Sequence, residues 1–149
     1  MYQHVQFTVP GEPIAKGRPR FSKYGQTYTP QRTAVYETLV RLEYERQCEG
    51  VFFEKGVPLR MIVHAYCAIP KATTKKKRVE MLSGVLWPTK RPDCSNLVKT
   101  IEDGLNGVAY EDDSQIVSLV VVKHWADIPH AEVMIHEICQ ESERHKDWI

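Results

Sequence analysis

This chain lacks most of the features that place a protein quickly. Its four cysteines, Cys48, Cys67, Cys94 and Cys139, are widely spaced and form no CxxC pair, so neither a zinc site nor a disulfide framework is indicated. A reduced, cytoplasmic protein is the expectation for such cysteine usage. Long hydrophobic runs are missing as well. The longest, residues 116–122, is broken by Ser118 and falls far short of the ~20 apolar residues that span a bilayer. No apolar segment of the kind a secretion signal needs follows Met1, so a soluble, unexported chain without membrane contact is expected. An excess of one charge is also absent, since 20 Lys and Arg against 19 Asp and Glu leave a net +1. There is no internal repeat and no linker. The length of 149 residues suits one domain with a single core, over residues 1–149, with the charged end at 139–149 expected to fray.

The balanced total hides a strong asymmetry. Residues 16–32 hold five Lys or Arg and no acid, and residues 71–91 hold seven against Glu80 alone. Two basic stretches in a neutral chain point to a polyanion, with Lys and Arg gripping phosphates. Phe21, Tyr24 and Tyr28 in the first stretch are candidates for stacking on unpaired bases, or else anchor an ordinary loop. Charge runs such as 71–78 are more often solvated faces, and a short basic helix or a mobile loop is expected there.

Periodicity supplies the elements. Val5, Phe7 and Val9 alternate with polar residues as in a strand with one face on a core. Thr29 and Pro30 open a helix as N-cap and first residue, with Val35, Leu39 and Leu42 as its buried face. Residues 59–69 form a central strand with Met61, Val63, Ala65 and Cys67 on one face. Leu97, Ile101 and Leu105 recur at helical spacing, so a helix runs from about Ser95 to Asn106 and stops at Asn106-Gly107. Residues 108–110 read as a short strand, 115–125 as the longest strand, and 131–138 as its partner across the turn at 127–130. The fold class is α+β, a small mixed sheet with two main helices on it. His64, His124, His130 and His136 make no zinc pattern, and Trp87 is open to three roles: core, subunit interface or base-stacking wedge.

Asp93 starts the 95–106 helix, and Asp112 and Asp113 precede the longest strand. Packed together, these acids would repel unless a divalent cation joined them. Hard oxygen ligands suit Mg²⁺ or Mn²⁺, and such sites hydrolyse phosphodiesters. Equally, Asp93 or Ser95 caps the helix and 111–113 is a solvated turn. Lys99 either pairs with Asp103 one turn on or faces a phosphate and stabilises developing charge.

Asp93, Ser95, Asn96, Leu97, Lys99, Asp103, Asn106-Gly107, Asp112-Asp113 and Gln115-Ile116 resemble the signature of the RusA family of Holliday-junction resolvases. Residues 13–16, then Arg18-Pro19-Arg20-Phe21 and Tyr28-Thr29-Pro30, resemble its N-terminal pattern, so the likeness covers roughly residues 5 to 138. It implies a homodimer acting in DNA recombination and repair, plausibly of prophage origin, that cuts four-way DNA junctions with Mg²⁺ and no small-molecule cofactor. Asp93, Asp112 and Asp113 would hold the metal and Lys99 would assist catalysis, with Asp93 and Asp113 catalytic. Ser95 stands where the family usually has its second acid, a neutral hydroxyl in a ligand position. A bridging water, Glu111 or Asp103 would make good the loss, or the chain binds branched DNA and cuts weakly or not at all. Lys16, Arg18, Arg20, Lys75, Lys76, Lys77, Lys90 and Arg91 would hold the DNA backbone.

Overall fold

The computed structural model describes residues 3–17, 20–28 and 30–138. Arg18, Pro19, Thr29 and the expected frayed end at 139–149, with Cys139, lie outside them. Strand β1 (His4–Pro10) buries Val5, Phe7 and Val9. Strands β2 (Arg20–Phe21) and β3 (Thr27–Tyr28) make a separate two-stranded hairpin. Helix α1 (Gln31–Cys48) follows, then strand β4 (Leu59–Ala68), helices α2 (Lys75–Leu82) and α3 (Cys94–Leu105), a short 3-10 turn (Asp113–Gln115), and strands β5 (Ile116–Ala126) and β6 (His130–Glu137). The architecture is α+β, one mixed four-stranded sheet ordered β1-β6-β4-β5 with three helices. Among the described residues no helix is long and apolar enough to cross a membrane.

β4 is central. It buries Leu59, Met61, Val63, Ala65 and Cys67 on one face, runs antiparallel to β6 and parallel to β5. Parallel partners need a long crossover, and here α2 and α3 supply it. The hairpin expected between β5 and β6 does not form. β6 lies on the far side of β4, paired with β1 and β4. Its buried Ala131, Val133 and Ile135 therefore join two apolar neighbours, whereas beside β5 they would sit at a sheet edge.

Two further expectations shift. The buried face of α1 is Thr33, Tyr36, Val40, Tyr44 and Cys48, while Val35 and Leu42 stand 62% and 56% exposed. Two tyrosine rings bury more area than a valine and a leucine, and the Tyr44 hydroxyl donates to the Val51 carbonyl. Pro30 takes the N-cap position of α1 without a side-chain cap bond. The short strand expected at 108–110 does not form: residues 107–109 are a turn, and Tyr110 makes isolated bridges to Phe53 and Asn106. Gly107, at φ 77, takes the left-handed conformation that lets the chain double back.

α3 buries Leu97, Val98, Thr100, Ile101, Gly104 and Leu105. At Gly104 it meets α1 so closely that an added Cβ would lie 2.9 Å from the Glu37 carbonyl oxygen and 3.1 Å from Val40 Cβ. With this apolar stripe fixed, Ser95, Asn96, Lys99, Glu102 and Asp103 must share the opposite face.

Candidate active site

The polar face of α3 carries an alternating chain of charges. Lys99 Nζ lies 3.0 Å from Asp103 Oδ1 and 3.0 Å from Asp113 Oδ2. Asp103 Oδ2 also takes Lys16 Nζ at 2.8 Å, and Lys16 reaches Glu37 Oε1 at 2.6 Å. The hydrogen bonds it donates to Asp103 and then Asp113 hold the Lys99 ammonium well above its ordinary range. Partial burial works against the charge of Asp103, but Lys16 and Lys99 outweigh it and keep that carboxyl below its ordinary range. Lys16 behaves likewise: burial opposes its charge, and Asp103 and Glu37 raise it.

The N-terminal segment is tied to the same helix by its backbone. Lys16 N–H donates to the Asn96 carbonyl at 2.9 Å, and Gly17 N–H donates to Thr33 Oγ1 on α1 at 3.0 Å. Lys16, expected on DNA, is therefore held by two carboxylates. Arg20 opens β2.

Asp93 occupies the N-cap position of α3, yet its carboxylate makes no capping hydrogen bond. It is exposed, and it accepts only a long bond from Asn96 Nδ2 at 3.5 Å. The capping role is thus not taken up. Asp112 does cap: its side chain accepts from Ser114 N–H at 3.0 Å, and the Ser114 hydroxyl first, then this amide, hold the carboxyl below its ordinary range. Gln115 completes a capping box, accepting from the Glu111 and Asp112 amides and donating to the carbonyls of Glu54 and Val57. These bonds fix the approach of Asp113 to Lys99. Glu111 turns away to Lys55, 3.6 Å off, and Asp103 is committed to two lysines.

One acid at the site was not anticipated. Glu102 is half-buried near Asp113, and burial first, then the Asp113 charge, pushes it up to about 7. The signal was available, since residues 95, 99 and 102 follow at helical steps of four and three, and Glu102 lies on the face that holds Ser95. An acid with a raised folded-state pKa stabilises the fold below its unfolded value, here 4.5, and that contribution is lost as pH rises through about 7. Without added metal, the melting temperature should therefore fall across that window. Thermal melts of Glu102→Gln should flatten the fall; an unchanged profile would rule out this assignment.

Among the described residues, no three His, Cys, Asp or Glu side chains stand grouped to hold a metal ion. The donor chemistry nonetheless suits a hard divalent cation. All the acids offer oxygen, Asp93 is uncommitted by any cap, and the Asp113 charge that adds to burial in raising Glu102 is repulsion a cation relieves.

The basic residues beyond the site separate into two kinds. Lys75, Lys76 and Lys77 open α2, whose N-cap Thr74 accepts from Lys77 N–H at 3.3 Å, and all three are exposed. Lys90 and Arg91 are exposed just before Asp93. These five side chains make no ion pair among the described residues, whereas Arg78 is bound to Asp127.

A family model described as endodeoxyribonuclease RusA matches residues 10–136. The chain is 37% identical over 139 residues to the Bacillus subtilis (strain 168) protein titled "Uncharacterized protein YqaN", covering 90% of this chain and 96% of that one. It is 38% identical over 87 residues to the crossover junction endodeoxyribonuclease rusA of Lactococcus phage r1t, covering 58% and 60% of the two chains. With the family match running from the end of β1 nearly to the end of β6, through the whole charged face of α3, the chain belongs to the RusA family of endodeoxyribonucleases.

Proposed function

We propose that this chain is a Mg²⁺-dependent endonuclease that resolves four-way DNA junctions as a cytoplasmic homodimer, hydrolysing one phosphodiester in each of two strands. The observation that carries the reading is the Lys99–Asp113 contact at 3.0 Å on the helix that begins at the uncapped Asp93. A dyad-related pair of sites matches the near two-fold symmetry of a junction. Asp93 and Asp113 are the principal metal ligands, with Asp112 beside them and the Ser95 hydroxyl in a weakened ligand position. When bound, the divalent cation supplies charge that favours ionised water and the departing oxygen. Lys99 offers its ammonium to the phosphate as negative charge develops, and Asp103 holds that ammonium in place. Lys75, Lys76, Lys77, Lys90 and Arg91, with Arg18 and Arg20, hold the backbone. Lys16 serves from within the ion chain.

The Ser95 hydroxyl favours slow cutting over none. A synthetic four-way junction should be nicked symmetrically with Mg²⁺ or Mn²⁺, Ser95→Asp should speed the reaction, and Asp113→Asn should abolish it. Junction affinity should also fall steeply with salt as released counterions cease to help. Tight binding without any nicking by the natural chain would replace this reading with that of a branched-DNA binder.

A further inference from the structure

α1 and α3 pack on one face of the sheet, and the described residues leave aromatic side chains aligned across the other. His130 on β6, Tyr66 on β4 and His124 on β5 lie in one row, for Tyr66 is the register partner of both. Their rings stack face to face, with centroids 4.3 Å apart for Tyr66–His130 and 4.7 Å for Tyr66–His124. His64, one step along β4, stacks on His124 at 5.1 Å, and the two imidazoles share a hydrogen bond of 2.8 Å that fixes their rings. Beyond β5, the Trp87 ring meets His124 at 5.8 Å, tilted by 40° to it, and is 54% exposed.

A row of parallel π-faces inside a core needs no further explanation. This one ends on an indole facing solvent. The neighbouring cations suit an anionic strand: Lys90 and Arg91 follow Trp87 within four residues, and Arg78 neutralises Asp127 at the tip of β5. The loop is also held to the sheet, since Lys123, next to His124, donates to the carbonyls of Lys90 and Pro92 at 2.9 and 3.0 Å. Trp87 lies six residues before Asp93 on the loop whose Lys90 and Pro92 are held to β5, and its ring rests on His124. A strand whose backbone meets Lys90 and Arg91 has its base within reach of the free indole face.

We propose that Trp87, backed by His124, Tyr66 and His130, is a stacking platform for one unpaired nucleobase of a DNA strand whose backbone lies along Lys90 and Arg91. The ligand class is sequence-neutral, because every base has a π-face. The platform deepens the proposed function, since a four-way junction exposes bases where its strands exchange, and it rests on that reading.

The test uses the full chain without divalent metal and three DNA probes. These are a four-way junction with 2-aminopurine at the crossover, the same junction with an abasic position there, and single-stranded oligothymidylate. Trp87→Ala should weaken binding to the 2-aminopurine junction and to the single strand by about tenfold and leave the abasic junction unchanged. Trp87→Phe should restore most of the loss. 2-Aminopurine fluorescence should be quenched on binding by the natural chain and by Trp87→Phe, but not by Trp87→Ala. Equal weakening on base-bearing and abasic junctions, or no weakening at all, would overturn the platform. So would a change in the number of subunits in the assembly on Trp87→Ala, which would make the indole an interface residue. If the natural chain grips the single strand through Trp87 but no junction, the platform stands and the junction reading fails.

Discussion

Replacing Lys99 with methionine should lower the rate of junction cleavage by about 10²- to 10³-fold while leaving junction affinity nearly unchanged. Methionine keeps the length and apolar stem of the side chain and removes only the ammonium. That ammonium is the cation in contact with both Asp103 and Asp113, and it faces the acid pair Asp113 and Glu102. Two losses follow from its removal. A phosphate approaching the site meets carboxylates without a counter-charge, and the charge that develops on its oxygens has no donor on α3. Asp103 keeps Lys16, so the ion chain beneath the site survives and the fold should tolerate the change. Single-turnover cleavage at saturating protein separates the two effects. A loss confined to affinity would assign Lys99 to binding alone, and full activity would remove it from the site. Lys99→Arg should recover only part of the rate, because a planar guanidinium offers its donors in a different geometry from a compact ammonium.

Tyr110→Ala should cost about 3–5 kcal/mol, a fall in melting temperature on the order of 10 °C, and should disable cleavage in the fraction that remains folded. Tyr110 is fully buried, bridges to Phe53 and Asn106, and donates its hydroxyl to the Glu102 carbonyl at 3.0 Å. It therefore joins the last turn of α3 to the segment that carries Asp112 and Asp113. Truncation leaves a cavity and releases the contact that, together with the capping box at Gln115, sets where Asp113 meets Lys99. Tyr110→Phe keeps the ring and loses only the hydroxyl, so about 1 kcal/mol is expected with cleavage largely retained. Equal effects from the two substitutions would mean that the hydrogen bond, and not the ring, holds the segment.

The parts of this molecule that were legible in the sequence are those whose burial is decided locally. Val5, Phe7 and Val9 on β1, the alternation along β4, and the stripe of Leu97, Ile101 and Leu105 on α3 each pack one face against a common core. Their period therefore appears in the residues themselves. The misreadings arise where a distant partner decides. The face of α1 is set by two tyrosines and by the close approach at Gly104, neither of which shows in a count of aliphatic side chains. The position of β6 depends on β1, more than a hundred residues earlier, and proximity in sequence pointed to β5 instead. At the site, the Asn-Gly turn and the Asp-Asp pair were legible because turns and caps are local chemistry. Glu102 was legible only as a residue on the helix face of Ser95 and Lys99; its importance arises when Tyr110 and the capping box fold Asp113 back onto α3. Lys16 carried the opposite risk. Its place in a basic stretch suggested a phosphate partner, and only the three-dimensional arrangement shows it neutralising Asp103 and Glu37.

The tie between Lys16 and Asn96 has a mechanical outcome. Residues 16 and 17 are clamped to the opening turn of α3 and to α1, and the hairpin strand β2 begins three residues further along the chain. A change at Lys16 or Gly17 therefore bears on Asn96 directly, without passing through the sheet. The turn that presents Asp93 is braced by the N-terminal segment as well as by the helix it opens.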